Sequence, residues 1–193
     1  MTATDIRNET SVPVSSPLAQ RWSPRSLDDA HVLSAADLTA LGEAARWAPS
    51  AMNLQPTRFI VARRGTDTFA KIAESLAGFN QVWAPRASAL AVALAETEHD
   101  GRPVRWAEYD LGQAVAHLTI EAADRGLVTH QMGGFDVDQL RSVFRIDKAL
   151  TPVTVIAVGQ YDPTADIDEA VRERDLEPRT RRDLDDLTLI LDI

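Results

Sequence analysis

Residues 46–62 read RWAPSAMNLQPTRFIVA and join the end of a predicted helix to the start of a predicted strand. Asn53 and Gln55 stand in this connection, between Pro49 and Pro56. Two prolines restrict the backbone of a loop that needs only to link two elements. A stiff loop between rigid elements is a common place for binding groups, and side-chain amides both donate and accept hydrogen bonds, which suits the edge of a heteroaromatic ring. An ordinary turn containing asparagine is the alternative interpretation.

Helical and strand patterns alternate along the rest of the chain. Apolar residues recur at helical spacing before the loop and again in the long segment 105–126. Runs rich in β-branched residues indicate strands, although the many alanines of residues 87–97 leave a helix open there. Candidate N-caps are Ser34 and Asp136, and Gly78 is a candidate helix end. We predict helices over 34–47, 66–78, 105–126 and 135–144, and strands over 58–63, 87–97, 127–132 and 152–161.

One domain accounts for this pattern. A chain of 193 residues that is 45% hydrophobic can bury a single good core, and the sequence contains no internal repeat. Residues 1–19 are polar and aperiodic, and we interpret them as an extended N-terminal arm before a domain over residues 20–193. The alternation predicts an α+β fold in which helices surround a mixed central sheet.

Composition excludes several classes of partner. The net charge of −9 argues against a nucleic-acid surface, since clustered positive charge drives binding to a phosphate backbone. No apolar run reaches the ~18–20 residues of a membrane span, and the N-terminus lacks the pattern of a secretory signal, so we expect a cytoplasmic location and no membrane partner. The absence of cysteine excludes disulfides and thiolate chemistry. The four histidines stand in no metal-ligand spacing, so no metal site is expected.

Two further polar clusters contain candidates for a site. RWSPRS (21–26) holds two arginines and a serine, which an extended or turning backbone can direct at one dianion. PRTRRDL (178–184) holds Arg179 and Arg181, whose side chains project to the same face of an extended segment. Taken singly, each cluster is better explained as a solvated loop. The sequence has neither a Gly-x-Gly phosphate loop nor a Gly-x-Ser-x-Gly elbow.

Taken together, these motifs resemble the nitroreductase family of flavoenzymes. The resemblance rests on Arg-x-Ser-x-Arg before the first helix, Ala-Pro-Ser-x-x-Asn-x-Gln-Pro after it, the Gly-Gly of QMGGFD (131–136) and the C-terminal Arg-x-Arg. AGFNQVWAPRASALAVAL (77–94) is similar to the family's segment around an asparagine and an Ala-Pro. The motifs stand in the family's order between Gln20 and Leu184.

The resemblance implies an intertwined homodimer that binds two FMN molecules at the subunit interface, with each site drawing residues from both chains. It implies that basic groups and a serine hold the phosphate and ribityl end of FMN. It further implies that a loop of the partner subunit lines the flavin ring, and that an asparagine and a glycine pair lie near its pyrimidine side and N5. The residues implied for these contacts are Arg21, Trp22, Ser23, Arg25, Pro49, Ser50, Ala51, Asn53, Gln55, Asn80, Gly133, Gly134, Arg179 and Arg181.

The implied activity is that of an FMN-dependent NAD(P)H oxidoreductase. NADH or NADPH delivers a hydride to flavin N5, and a nitro compound, quinone or other conjugated small molecule then takes it in ping-pong order, with no side chain assigned as acid or base. We expect the apolar helix 105–126 to pack partly against the second subunit, because one small domain has little surface to cover it. Two alternatives remain. One is an FMN-binding protein with a flavin-handling or regulatory role, and the other is a structural dimer whose arginines pair with the acidic tail.

Overall fold

The computed structural model describes residues 8–187. A four-stranded sheet carries helices on both faces, and a two-stranded hairpin stands apart from it. None of the described helices is long and apolar enough to cross a membrane. The helices are α1 (Ser16–Gln20), α2 (Ala35–Arg46), α3 (Asp67–Glu74), α4 (Asn80–Trp83), α5 (Ala107–Asp124), α6 (Val137–Phe144) and α7 (Glu169–Leu176). The strands are β1 (Thr57–Arg63), β2 (Ala89–Glu96), β3 (Glu98–His99), β4 (Arg102–Pro103), β5 (Val128–Met132) and β6 (Leu150–Gly159).

The main sheet has the strand order β1-β2-β6-β5, and every neighbouring pair in it is antiparallel. The α+β class with helices around a central sheet is confirmed, but the expected mixed sheet is corrected to an antiparallel one within the described residues. Strands β2 and β5 do run in the same direction and are joined through α5. Strand β6 lies between them and is antiparallel to both, so the parallel pair that such a crossover usually forms is split.

Strand β2 lies at the centre of the fold because its side chains alternate between large and small. Leu90, Val92 and Leu94 enter the core on one face of the sheet, together with the fully buried Trp83. The intervening alanines belong to the core on the other face, where helix α5 packs. Small side chains allow a helix to approach a sheet closely. Alternation with a period of two is also what a strand requires, and this resolves the ambiguity of the alanine-rich stretch.

Capping side chains fix where helices begin, as predicted. Ser34 and Asp136 each accept a hydrogen bond from the backbone N–H three residues further on, at 3.0 and 2.9 Å. The predicted end of the second long helix is wrong, because α3 ends at Glu74 and not at Gly78. Leu76 forms an isolated β-bridge with the segment after β5, and this pairing takes the chain out of the helix before the glycine is reached.

We predicted an extended N-terminal arm, but the part of it that the structure describes is not fully extended. It contains α1, in which Pro17 occupies the first turn, where a missing N–H is not needed. Asn8 Nδ2 then donates to Leu18 O at 2.7 Å and to Arg21 O at 3.1 Å. The arm therefore folds back onto the start of the domain.

Candidate functional site

The two ends of the described chain meet in one cleft of about 220 Å³. The segment 21–25 forms one wall, and the end of α7 with the residues after it forms the other. Trp22 and Ser23 line it, as the resemblance implied. We call it the arginine cleft, because five arginines line it: Arg21, Arg25, Arg174, Arg179 and Arg181.

Positive charge in the arginine cleft is only partly balanced. Of its five arginines, only Arg25 forms an ion pair with another of residues 8–187, to Asp175 at 3.6 Å. The Nε atom of Arg21 is buried and has no hydrogen-bond partner within the same residues. Burial lowers the pKa of both Arg21 and Arg179, and the nearby positive charge of Arg181 lowers both further. A bound anion with several acceptor oxygens would satisfy the unpaired donor and relieve the repulsion.

Asp175, on α7, holds the backbone of the segment 21–26. Its carboxylate accepts hydrogen bonds from Arg25 N at 2.9 Å and from Ser26 N at 2.7 Å. The Asp175 side chain is only 2% exposed, so these bonds are shielded from water. Sequence reasoning missed this residue, because it stands in an acidic stretch 150 positions beyond its partner and no local pattern marks it.

The N-terminal arm contributes one side chain to the arginine cleft. Asn8 Oδ1 accepts a hydrogen bond from Arg179 Nη1 at 2.8 Å. Arg21 Nη2 donates to Ser23 Oγ at 3.1 Å, and the buried Trp22 ring lies 5.7 Å from the Arg179 guanidinium. The Arg-x-Ser-x-Arg and Arg-x-Arg motifs, far apart in sequence, are thus brought together.

A second group of predicted residues lies beside this cleft. Asn80 Nδ2 donates to Gly134 O at 3.2 Å. A Cβ atom added at Gly134 would lie 3.0 Å from the same nitrogen, so a larger residue there would push against the Asn80 amide, while Gly133 is exposed. The guanidinium of Arg174 lies 3.9 Å from the ring centre of Phe79. This stacking connects the residue before Asn80 with the wall of the arginine cleft, and the sequence analysis had not singled out Arg174.

The 49–55 loop has a strained backbone. Met52, Asn53 and Gln55 have φ angles of +52°, +56° and +50°. These values lie in the left-handed region, which L residues other than asparagine seldom adopt, and such strain persists only where the surroundings enforce it. Three such residues within four positions mark the loop as a segment whose shape is held at a cost in stability.

Two oxygens hold this strained loop. Ser50 Oγ accepts a hydrogen bond from Gln55 N at 3.0 Å and so closes the loop on itself. Asp110 on α5, which is 3% exposed, accepts one from Ala51 N at 3.0 Å. The Ser50 side chain and the Ala51 backbone N–H therefore have structural roles within the chain.

The 49–55 loop lines a different cleft from the arginines. This second cleft, of about 210 Å³, lies between α2, α5 and the start of β1, and Pro49, Ser50 and Gln55 form part of its wall. No residue of the arginine cleft lines it. Asn53, at the tip of the loop, is exposed. Within one chain, the predicted residues therefore form two separate groups.

His130, on β5, lies against the segment 21–26. Its Nδ1 atom is 3.2 Å from Pro24 O, and because a carbonyl can only accept, Nδ1 carries the proton. The imidazole packs on the Trp83 ring at 4.5 Å. Burial lowers the pKa of His130, and the positive charge of Arg25 adds to this, so the neutral ring is favoured.

Comparison with known proteins agrees with this architecture. A model of the nitroreductase family matches residues 18–96 and 76–160. The matched part includes the segment 21–25, the 49–55 loop and the glycine pair, and it ends before α7. A Mycolicibacterium smegmatis protein, described as an uncharacterized 15.4 kDa protein in the ask 5' region, is 43% identical over 131 residues, which are 64% of this chain and 88% of that protein.

Solved structures share the fold over nearly the whole chain. A crystal structure described as an oxidoreductase containing FMN is 29% identical, with a TM-score of 0.87 over 94% of this chain and 93% of that one. A putative nitroreductase from Desulfovibrio desulfuricans, in complex with FMN, is 23% identical, with a TM-score of 0.75 over 95% of this chain and 99% of that one. The family match spans well over half of the sequence, and the fold agrees with it. This chain belongs to the nitroreductase family.

Proposed function

We propose that the protein is an FMN-dependent oxidoreductase whose arginine cleft holds the FMN phosphate. The observation that carries the proposal is the cleft itself, with five arginines and a buried, unpaired Arg21 Nε among the described residues. A phosphate dianion has several acceptor oxygens and forms its strongest hydrogen bonds with guanidinium groups. The residues present therefore fit the group. The arginines also have few acidic partners among the described residues, which disfavours a purely structural role for them.

Each group of site residues has a distinct role in this proposal. Arg21, Ser23, Arg25, Arg179 and Arg181 bind the phosphate and ribityl end, with Trp22 as the packed support beneath them. Asn80, held by its hydrogen bond to Gly134, presents its amide to the pyrimidine side of the flavin, and the exposed Gly133 brings backbone close to N5. The loop residues Pro49, Ser50, Ala51, Asn53 and Gln55 line the ring from the partner subunit.

The assignment of the loop to a partner subunit rests on its position and exposure. The loop lines a cleft that shares no residue with the arginine cleft, so one chain does not by itself bring the two groups together. Met52 is 93% exposed, Trp47 is 73% exposed and Trp106, at the start of α5, is half exposed. Several exposed large apolar side chains are typical of a surface that a partner covers. We infer that a homodimer covers it and completes two sites by symmetry.

Bound FMN supplies the redox chemistry, accepting a hydride from NADH or NADPH and passing reducing equivalents to a nitro compound, quinone or other conjugated acceptor in ping-pong order. The chain's own residues bind the phosphate, orient the ring and present backbone close to N5. No side chain is assigned as an acid or base, since solvent can supply the protons.

The test is the visible absorption spectrum of the purified protein, reconstituted with FMN if it is colourless. We expect flavin bands that bleach on anaerobic addition of NADH or NADPH and return when a quinone or nitroaromatic compound is added. Bands that persist with both nicotinamides would favour a flavin-handling protein. Failure to take up FMN at all would contradict the proposal.

A further inference from the structure

A single carboxylate joins the two halves of the arginine cleft. Asp175 lies on α7, which leads directly into Arg179 and Arg181, and its oxygens hold Arg25 N and Ser26 N in the opposite wall. The Asp175 side chain is almost completely buried. The carboxylate therefore fixes the distance and orientation between the N-terminal and C-terminal arginines.

Between its two ends, the segment held in this way has few other backbone supports. Hydrogen bonds fix the ends, at Arg21 and at Ser26 O. Between them, Pro24 has no N–H to donate, and its carbonyl is engaged by His130. Without the carboxylate, the partly buried Arg25 N and the buried Ser26 N would lose their acceptor, and the middle of the segment would have to move to find another.

We propose that Asp175 is a positioning residue that pre-forms the phosphate site by holding Arg25 and its neighbours in the bound arrangement. This inference rests on the proposed function, since it takes the FMN phosphate as the ligand. Asp175 acts through the backbone of the segment 21–26, and we assign it no contact with FMN. Pre-forming the site removes the ordering cost that ligand binding would otherwise carry.

A purely electrostatic role predicts that removing the Asp175 charge tightens phosphate binding. A carboxylate 3.6 Å from a cleft arginine repels an incoming phosphate, so neutralising it would make the cleft more positive and tighten anion binding. The positioning role predicts weaker binding, because the guanidinium groups lose their alignment. Whether FMN binding becomes tighter or weaker therefore distinguishes an electrostatic role from a positioning role.

The experiment compares Asp175→Asn with Asp168→Asn, which removes the same charge from the same helix. Asp168 is the N-cap of α7, and asparagine caps a helix as well as aspartate does, so this control keeps the helix intact. Affinities for FMN and for riboflavin, which lacks the phosphate, are measured by quenching of flavin fluorescence. We expect Asp175→Asn to weaken FMN binding about tenfold, the loss expected when charge-assisted hydrogen bonds are misaligned. Riboflavin binding and the affinities of Asp168→Asn should stay within about twofold of wild type.

Asp175→Glu keeps the charge but moves the carboxylate by one methylene. Positioning predicts that it also weakens FMN binding, whereas a purely electrostatic role predicts no change. Unchanged or tighter FMN binding by Asp175→Asn, or equal losses for FMN and riboflavin, would overturn the inference.

A measurement on the unmodified protein covers the case in which both variants fail to fold. Hydrogen exchange of residues 21–27 without FMN should be slow if the carboxylate already holds Arg25 N and Ser26 N. Fast exchange there, slowing only after FMN is added, would contradict pre-formation. The exchange rate of the FMN-free protein tests the inference without any flavin. Failure of the proposed function would instead show as wild-type protein that takes up no FMN, so the two failures are distinguishable.

Discussion

The arginine cleft and the 49–55 loop are stabilised in opposite ways. The cleft is closed by hydrogen bonds between residues 149 to 171 positions apart, and charged side chains make them. Most bonds of the loop join residues no more than five positions apart, and its long-range supports both come from α5: Asp110 accepts from Ala51 N, and Gln113 Nε2 donates to Pro49 O at 3.5 Å. Three of its residues lie in the left-handed region, whereas the segment 21–26 has no positive φ.

This difference indicates what each region does. The cleft gathers positive charge from both ends of the described chain within one subunit. The loop exposes apolar side chains, with Met52 at its tip, and holds its shape at a cost in stability. We interpret the cleft as the phosphate-binding part of the site and the loop as the surface that one subunit offers to the other.

The largest expected effect is at Arg21, whose buried Nε has no hydrogen-bond partner among the described residues. Arg21→Met keeps the length of the side chain and removes its guanidinium, so FMN affinity should fall about a hundredfold, the loss of two charge-assisted hydrogen bonds. Fluorescence titration measures it. Arg182→Met is the control, since Arg182 is exposed and does not line the cleft. Equal affinities of the two variants would contradict the assignment of the cleft.

The second effect concerns the subunit interface. Ala116 lies on the exposed face of helix α5, where Tyr109 and Gly112 are exposed too, and Ala116→Arg places a long charged side chain on this face. If the face packs against a partner, burying that charge should weaken dimerisation about tenfold or more. Light scattering across a concentration series measures it, with Asp138→Arg on the exposed side of α6 as the control. A wild-type monomer would contradict the shared site.

A smaller effect separates the loop's stability from its function. Gln55→Gly relieves a left-handed φ of +50°, and the free energy of unfolding should rise by about 1 kcal/mol. Arg145→Gly relieves a similar angle of +51° at the end of α6, and Arg145 lines neither cleft. Denaturant unfolding should show both gains, while FMN affinity should fall only for Gln55→Gly. Equal FMN affinities would indicate that the Gln55 amide does not contact the flavin.

The smallest effect is a pH dependence at His130, beside the segment 21–26. The pKa of His130 is lowered in the folded protein, chiefly by burial, so the unfolded chain binds this proton more readily. The stability contributed by the neutral ring is complete above the ordinary pKa of 6.5, and it is lost as the pH falls from there toward the lowered value. Thermal unfolding between pH 7 and pH 5 should show this slope in wild type, and His130→Gln should flatten it. An unchanged slope would assign the dependence to other groups.

The elements of this fold could be predicted from sequence because their signals are local. Alternation along β2, helical spacing in α5 and the cap at Ser34 involve only neighbouring residues. The antiparallel sheet could not be predicted, since it depends on where β6 inserts. Contacts between residues distant in sequence also could not be predicted, and so Asp175, Arg174 and the inward fold of the arm at Asn8 were missed.

Site residues divide in the same way. Arg21 and Arg25 were identified only because several weak motifs occur in one order, and no motif alone distinguishes a phosphate cleft from a solvated loop. Arg21, whose buried Nε is unpaired among the described residues, lines the same cleft as Arg179 and Arg181, and local patterns do not report this proximity.

Mixed dimers test most directly whether cleft and loop complete one site across two chains. Chains with Arg21→Met and chains with Ala51→Trp, which blocks the space beside the loop, are co-expressed with different tags and purified through both tags. Each parent homodimer should bind little FMN. The mixed dimer should bind about one FMN, because one of its two sites combines an intact cleft with an intact loop. A mixed dimer that binds as little FMN as its parents would show that each site lies within one chain, and it would contradict the account.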